Sequence, residues 1–433
     1  MRSSSPFHRS MHRALELRGG FVGVTALGIN TLVIITLGII SLGITGCQWS
    51  SMQSPSSQRP YDRRATGLHP DFAFQTLSSG EVDVYLKLQR EELLYTRDHA
   101  ESPFVANVEI ALGDTTWSLM DTIWHHTQGE LRARWRWRGG DAFPLVQLKD
   151  QLRNATWQDR VALGSPPSWH RSNLLLWSYT DRWPLPSGDA TVFDTIAVLL
   201  PNDSVMTRGW VVSHVLPPST LPPPPYSGAR VRWDTLSAQP LTTLGRDELS
   251  HLIVPEGITT LYHPRTDLGL VIHSRRPNFP ALVNPDDLIR PVRYIASRAE
   301  FNALSEAQHP KMALDDFWLA CGKSPDAARA LLSIYYERVE EANVAFSGLT
   351  EGWMTDRGMV HIVFGVPQRV RKDAWNEYWV YGEEGTANAL TFHFRKRQHP
   401  LDDNHFELQR SIQFRSVWDR AVSNWRNGRV RGD

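Results

Sequence analysis

The chain has 433 residues, 41% hydrophobic and 21% charged, which is ordinary for a globular protein with buried cores and long enough for two or three domains. Basic and acidic residues number 46 each, so no global charge draws it to nucleic acid, and nucleic acid is not expected as a partner. With only two cysteines, Cys47 and Cys321, a disulfide-stapled scaffold is excluded, while 17 tryptophans, 28 prolines and 29 glycines favour many short strands joined by turns.

Residues 1–20 carry Arg2, Arg9, Arg13 and Arg18, and Phe21–Ile44 is an uncharged apolar run. This is the basic head and hydrophobic body of a secretory signal. The run ends in Ile44-Thr45-Gly46-Cys47, which resembles the lipobox of bacterial lipoproteins. The resemblance implies cleavage after Gly46, diacylglycerol on the Cys47 thiol, and acylation of the new amino group, typically by palmitate. Three acyl chains exceed the two signals that stable anchoring needs. The same run is also long enough to be an uncleaved membrane span, and under either reading the remainder is exported. Loss of 1–46 removes four arginines against Glu16 alone and leaves the mature chain slightly acidic. Gln48, in place of an aspartate, favours the outer membrane over the inner membrane. The chain is thus expected in the cell envelope, with the membrane as a partner through its lipid. Residues 47–69 are rich in Ser, Gln, Pro and Arg and are expected to be a flexible tether.

From 70 to 216 the pattern has period two. Val82, Val84, Leu86 and Leu88 alternate with Glu81, Asp83, Tyr85 and Lys87, and Leu131, Ala133, Trp135 and Trp137 alternate with four arginines from Arg132 to Arg138. Less regular runs occur at Phe104–Leu112, Asn173–Tyr179, Thr191–Leu199 and Gly209–Val215. Such alternation predicts half-buried strands in a β-sandwich domain over 70–216. Pro217–Pro225 holds six prolines in nine residues and is expected to be a stiff joint. A smaller β module is expected over 226–296, with strands at Thr259–His263, Leu268–His273 and Leu288–Ile295.

The pattern then turns helical. Ser297 and Glu300 form a capping box that opens a short helix. Lys311–Ala320 is expected to be a second helix capped by Gly322. Ser324 and Pro325 open a third, running to Phe346, whose apolar stripe is Ala328, Leu331, Tyr335, Val339, Ala342 and Phe346. Glu337, Arg338, Glu340 and Glu341 should cover its outer side. Strands are expected again at Met359–Phe364, Glu377–Tyr381, Ala389–Arg395 and Leu408–Phe414, followed by a frayed end from Asn424. The expected fold is therefore mainly β with a C-terminal α+β part, a helical segment packed on a small antiparallel sheet over 297–420.

Residues Gly352-Trp353-Met354-Thr355-Asp356, followed by Arg357-Gly358 and by Gly365-Val366-Pro367, resemble the GWxTD domain family of bacterial secreted proteins. Leu288–Glu300, Phe317-Trp318, Tyr335–Val339, Ala342-Asn343 and Phe346 are similar to that family as well, so that the resemblance covers about 285–420. It implies an exported location and an architecture; it implies no activity. Physically, Thr355 and Asp356 suit a tight turn feeding a strand, Trp353 should pack under that turn against the long helix on Phe346 or Tyr335, and Arg357 should pair with Asp356, Glu340 or Glu341. The functional alternative puts Trp353, Asp356 and Arg357 at the mouth of a ligand groove.

Familiar catalytic signatures are absent: there is no Gly-x-Ser-x-Gly elbow and no His-Glu-x-x-His helix. Gly322-Lys323-Ser324 is no phosphate loop, since Phe317 stands where that loop needs glycine. His125 and His126 adjoin and would point to opposite faces of a strand. His399, Asp402, Asp403 and His405 are metal-like in type, although loop polarity accounts for them. The four arginines are either a solvated strand face or a contact for anionic lipid or acidic glycan. No cofactor, metal or catalytic residue is therefore assigned. The expected function is that of a non-catalytic binding or assembly component with an envelope protein or glycan as partner. The alternative is a hydrolase or glycan-processing enzyme using Asp356 with Asp402 or Asp403, which requires the carboxylates to converge.

Overall fold

The computed structural model describes Tyr61 and residues 67–430, except 78, 126–128, 142, 162, 164–173, 186–187, 200–207, 218, 230–238, 246–248, 266–267, 384–388 and 400. The leader 1–46 with Gly46, the acylation position Cys47, most of the tether 47–69, and His126 lie outside the described residues. Among the described residues strands take 37% and helices 27%, the mainly β composition with a C-terminal α+β part that the sequence predicts.

Seven strands come first: β1 (Asp71–Thr76), β2 (Val82–Gln89), β3 (Phe104–Leu112), β4 (Thr115–Ile123), β5 (Glu130–Trp137), β6 (Leu145–Asp150) and β7 (Ala155–Arg160). They form two antiparallel sheets, ordered β1-β2-β5 and β4-β3-β6-β7. Leu86, Leu88 and Leu131 of one sheet meet Ala106, Val108, Ile110 and Leu148 of the other, so the predicted alternation builds a sandwich. The other face of β2 is covered too, since Asp83 and Tyr85 are buried. The cover is a second sandwich: Tyr85 packs with Ala73 and Leu175, and Trp177 and Trp183 lie edge-on to its ring.

That second sandwich is made of β8 (Leu175–Ser178), β9 (Trp183–Leu185), β10 (Asp189–Thr191), β11 (Thr195–Leu199), β12 (Arg208–Val215), β13 (Gln239–Gly245), β14 (Leu252–Ile253), β15 (Ile258–His263) and β16 (Leu268–Arg275). Its sheets run β14-β11-β8-β9 and β10-β16-β15-β12-β13. Leu176, Ile196 and Val198 pack on Trp210, Val212, Leu261, Leu270 and Ile272 between them. The expected joint at Pro217–Pro225 is therefore not where the β modules divide. β12 before the prolines pairs with β15 beyond them, whereas the expected 70–216 domain contains one whole sandwich and the start of another. The proline segment instead straps onto the C-terminal part. Proline carbonyls accept even though proline nitrogens cannot donate: Arg410 Nη2 donates to Pro223 O at 3.1 Å and Ser411 N to Pro225 O at 3.1 Å.

The C-terminal part contains α1 (Pro285–Ile289), α2 (Arg298–Ser305), α3 (Pro310–Gly322), α4 (Pro325–Phe346), α5 (Asp356–Phe364) and α6 (Arg415–Arg426). They pack on a sheet of β17 (Arg369–Lys372), β18 (Asn376–Tyr381), β19 (Leu390–Lys396) and β20 (Phe406–Leu408). The Ser297–Glu300 capping box opens α2 and the Ser324 hydroxyl caps α4, as the sequence predicts. All six residues of the α4 stripe are buried. Arg338 is not on an outer face; it is buried, donates to Ile362 O at 3.3 Å and lies over the Trp425 ring. At the end of α3 the left-handed residue is Lys323, not Gly322.

Three expected strands are not strands. Leu288–Ile295 completes α1 and enters a 3-10 turn, because Pro285 starts a helix and Pro291 cannot donate to a ladder. Met359–Phe364 is the body of α5, opened by the Thr355 cap. The strand expected over Leu408–Phe414 ends at Leu408. The end expected to fray from Asn424 continues α6 to Arg426, with Trp418 and Trp425 buried. Among the described residues no helix is long and apolar enough to cross a membrane.

Candidate functional site

The segment Gly352–Met354 is a single 3-10 turn wedged between the end of α4 and the start of α5. Asn343 on α4 accepts the Trp353 amide on its side-chain oxygen at 3.2 Å. The Trp353 ring is buried against Tyr294 and under the Arg290 guanidinium, and its Nε1 donates to Glu351 at 2.7 Å. These aromatic partners differ from the expected Phe346 and Tyr335. Thr355 works in both directions: its hydroxyl donates to Gly352 O at 2.7 Å and accepts the Gly358 amide at 3.0 Å. That is an N-cap, which is why the residues after it are helical. Gly365, with positive φ, closes the helix, and its carbonyl accepts from the Tyr381 hydroxyl at 2.8 Å; Pro367 is buried just beyond.

The two charged residues after the turn point to distant strands rather than to each other or to Glu340 and Glu341. The Asp356 carboxylate accepts the Leu408 amide at 2.8 Å and is gripped by both terminal nitrogens of Arg410. Arg357 donates to Glu377 on β18 at 3.1 Å and to both oxygens of Asn404, and its guanidinium is sandwiched between the rings of Phe346 and Phe406. Glu341 instead meets His361 Nε2 at 2.8 Å. Arg410, Glu377 and Asn404 escape sequence reasoning, because nothing local marks residues 54, 20 and 47 positions away as partners.

A cavity of about 170 Å³ lies beside the turn, walled by Thr355, Asp356, the 404–410 strand region, Asp402 and the end of the proline strap. It joins two of the acids that the enzyme alternative needs. Asp403 is exposed and does not line it. Burial pushes the Asp356 carboxyl up against the pull of Arg410, and burial pushes His405 down. Opposed shifts in one cavity are a pattern found at catalytic centres. Against that stands the bonding of both acids. Asp402 accepts the Leu349 amide at 2.9 Å and the Asn404 amide at 2.7 Å, so it, like Asp356, holds loop backbone in place.

The other candidate clusters are placed as follows. Among the described residues no three His, Cys, Asp or Glu side chains form a group able to hold a metal ion. His125 is exposed at the end of β4. Cys321 is buried. The arginine row on β5 is not a free positive stripe: Arg134 and Arg136 both donate to the buried Asp83, Arg132 to Glu130, and Arg138 to Glu81. Burial alone would raise the Asp83 carboxyl, but Arg136 and Arg134 outweigh it and hold it below the usual aspartate range.

This architecture defines a class: paired β-sandwiches joined to an α+β module whose motif residues brace its interior. Residues 261–427 match the family model of the GWxTD domain, and this stretch of the chain is a GWxTD domain. No curated protein and no solved structure matches the chain.

Proposed function

We propose that this chain is a lipid-anchored protein of the bacterial cell envelope, held through acylated Cys47, outer membrane favoured, and acting as a non-catalytic binding or assembly component. The observation that carries the non-catalytic part is the saturation of the motif. Asp356, Arg357 and Asp402, the side chains best suited to chemistry, are committed to Arg410, Glu377, Asn404 and backbone amides. A general acid or base needs a face turned to substrate. The anchor rests on Gly46-Cys47 directly after the uncharged run. Two stacked sandwiches and an α+β module with a packed interior suit an envelope protein or glycan as partner.

Intact mass of membrane-extracted protein tests the anchor. The expected mass is that of 47–433 plus three acyl chains, and it should be lost in Cys47→Ala. An unmodified mass retaining 1–46 would overturn the anchor. The hydrolase alternative keeps one supporting observation, the shared cavity of Asp356 and Asp402. Incubated envelope glycan fragments should keep their masses; new, smaller fragments that disappear with Asp402→Asn would favour the enzyme.

A further inference from the structure

Tyr61, between Cys47 and the first strand, is seated on the GWxTD domain. The Tyr61 ring stands edge-on to Phe346 at 4.8 Å and tilted on Trp379 at 5.2 Å. Its hydroxyl donates to Glu377 Oε1 and accepts from Lys372 Nζ at 2.7 Å. The same ammonium lies 4.4 Å from the ring centroid. The ring, its face and its tip are each met by a matching group: aromatics, a cation, and a carboxylate.

The receptor belongs entirely to the GWxTD domain. Phe346 ends α4, Lys372 ends β17, and Glu377 and Trp379 lie on β18. Phe346 and Trp379 are inaccessible to solvent, and Glu377 is held from behind by Arg357. A buried carboxylate that accepts from a phenol favours tyrosine over phenylalanine. A ring without the hydroxyl takes the close donor from Glu377 Oε1, which keeps only the Lys372 ammonium at 3.4 Å, and takes the acceptor from that ammonium. Tyr61 itself lies outside the matched stretch 261–427, and more than 300 residues separate it from Lys372 and Glu377.

We propose that Phe346, Trp379, Glu377 and Lys372 form a tyrosine-recognition site and that the chain's own segment fills it with Tyr61, clamping the GWxTD domain to the root of the chain. The membrane consequence rests on the anchor reading above. Fourteen residues lead from Cys47 to Tyr61, a reach of at most about 50 Å at full extension. The clamp then keeps the GWxTD domain within that reach of the anchored residue.

The test uses the full chain in detergent, as wild type, Tyr61→Ala and Tyr61→Phe. A peptide of residues 55–67 is titrated by calorimetry. The Tyr61→Ala chain should bind it, the wild type should bind at least about 10-fold more weakly because its site is filled, and a Tyr61→Phe peptide should lose about 10-fold. In parallel, trypsin should cut at Arg63 and Arg64 at least 10-fold faster in Tyr61→Ala than in wild type, with Tyr61→Phe between them; these two arginines adjoin the clamp. Equal cleavage rates, or no preference of the Tyr61→Ala chain for the peptide, would overturn the proposal. So would wild-type dimers lost in Tyr61→Ala, since Tyr61 would then serve a second copy. All readouts are repeated on Cys47→Ala. Failure here leaves the anchor reading standing, and an unmodified Cys47 leaves the clamp standing.

Discussion

Arg357 and Glu377 form an ion pair at 3.1 Å whose side chains are only 5% and 2% exposed. A buried pair is costly to break from one side, because the survivor is left charged and desolvated. Arg357→Ala should therefore cost about 3–5 kcal/mol, read by urea unfolding. A double change of Arg357 and Glu377 to leucine should cost clearly less than the sum of the two single changes. Additive costs would mean that the pair is not coupled.

Burial alone would raise the Glu377 carboxyl. Arg357 and then Lys372 outweigh it, with Tyr61 adding to them, and the folded value lies below that of an ordinary glutamate. A depressed carboxylate adds stability that is complete above its unfolded value, about 4.3, and is lost as pH falls through the folded value. The urea midpoint should thus drop as pH is lowered from about 5, and Glu377→Gln should flatten that part of the profile. A mutant that keeps the wild-type slope would refute the assignment.

Thr355 and Gly352 fix the turn in different ways. Thr355→Ala removes the α5 cap and should cost about 1 kcal/mol, with Thr355→Ser close to wild type. A Cβ on Gly352 would stand 1.8 Å from the carbonyl oxygen of Ala342, and one on Gly358 would stand 2.0 Å from Gly352 O. Neither obstacle is a side chain that can swing away. Gly352→Ala should cost at least the upper end of the overpacking range, about 3 kcal/mol. Thermal melts of the variants should rank them in that order.

Trp425 is completely buried near the end of the described chain and donates from Nε1 to Val363 O at 3.0 Å. Trp425→Ala should cost about 3–5 kcal/mol. Trp425→Phe keeps most of the ring but strands the carbonyl, which should cost about 1–3 kcal/mol. A frayed terminus would make both changes neutral.

How much of this was legible follows from range. The stripe and cap of α4 and the alternation of β5 are local patterns that transfer to the structure. In β2 the apolar set transfers, but Asp83 and Tyr85 are buried under the second sandwich, which no local pattern marks. Met359–Phe364 misleads because a short apolar run has no period long enough to separate strand from helix. Reading Thr355 as a cap rather than a turn residue would have decided it. The α6 signal was present in Trp418, Ala421, Val422 and Trp425, spaced three and four apart, though the polar residues around it mask the stripe. The pairs Asp356–Arg410 and Arg357–Glu377 had no local signal. Their existence depends on how α5 meets the sheet.

The matched stretch opens at residue 261, in the middle of β15, whose neighbour β12 lies upstream of it. The stretch that the family model covers is therefore not a unit that folds as one. A fragment cut at that border would sever a strand and strip its partner. It would also part His273 and Arg275 on β16 from Asp189, which pairs with Arg275, while leaving those two residues attached to Leu401 O and Gly348 O. In this chain the matched stretch therefore completes its sheet only with β12 and β10, strands that the preceding sequence supplies.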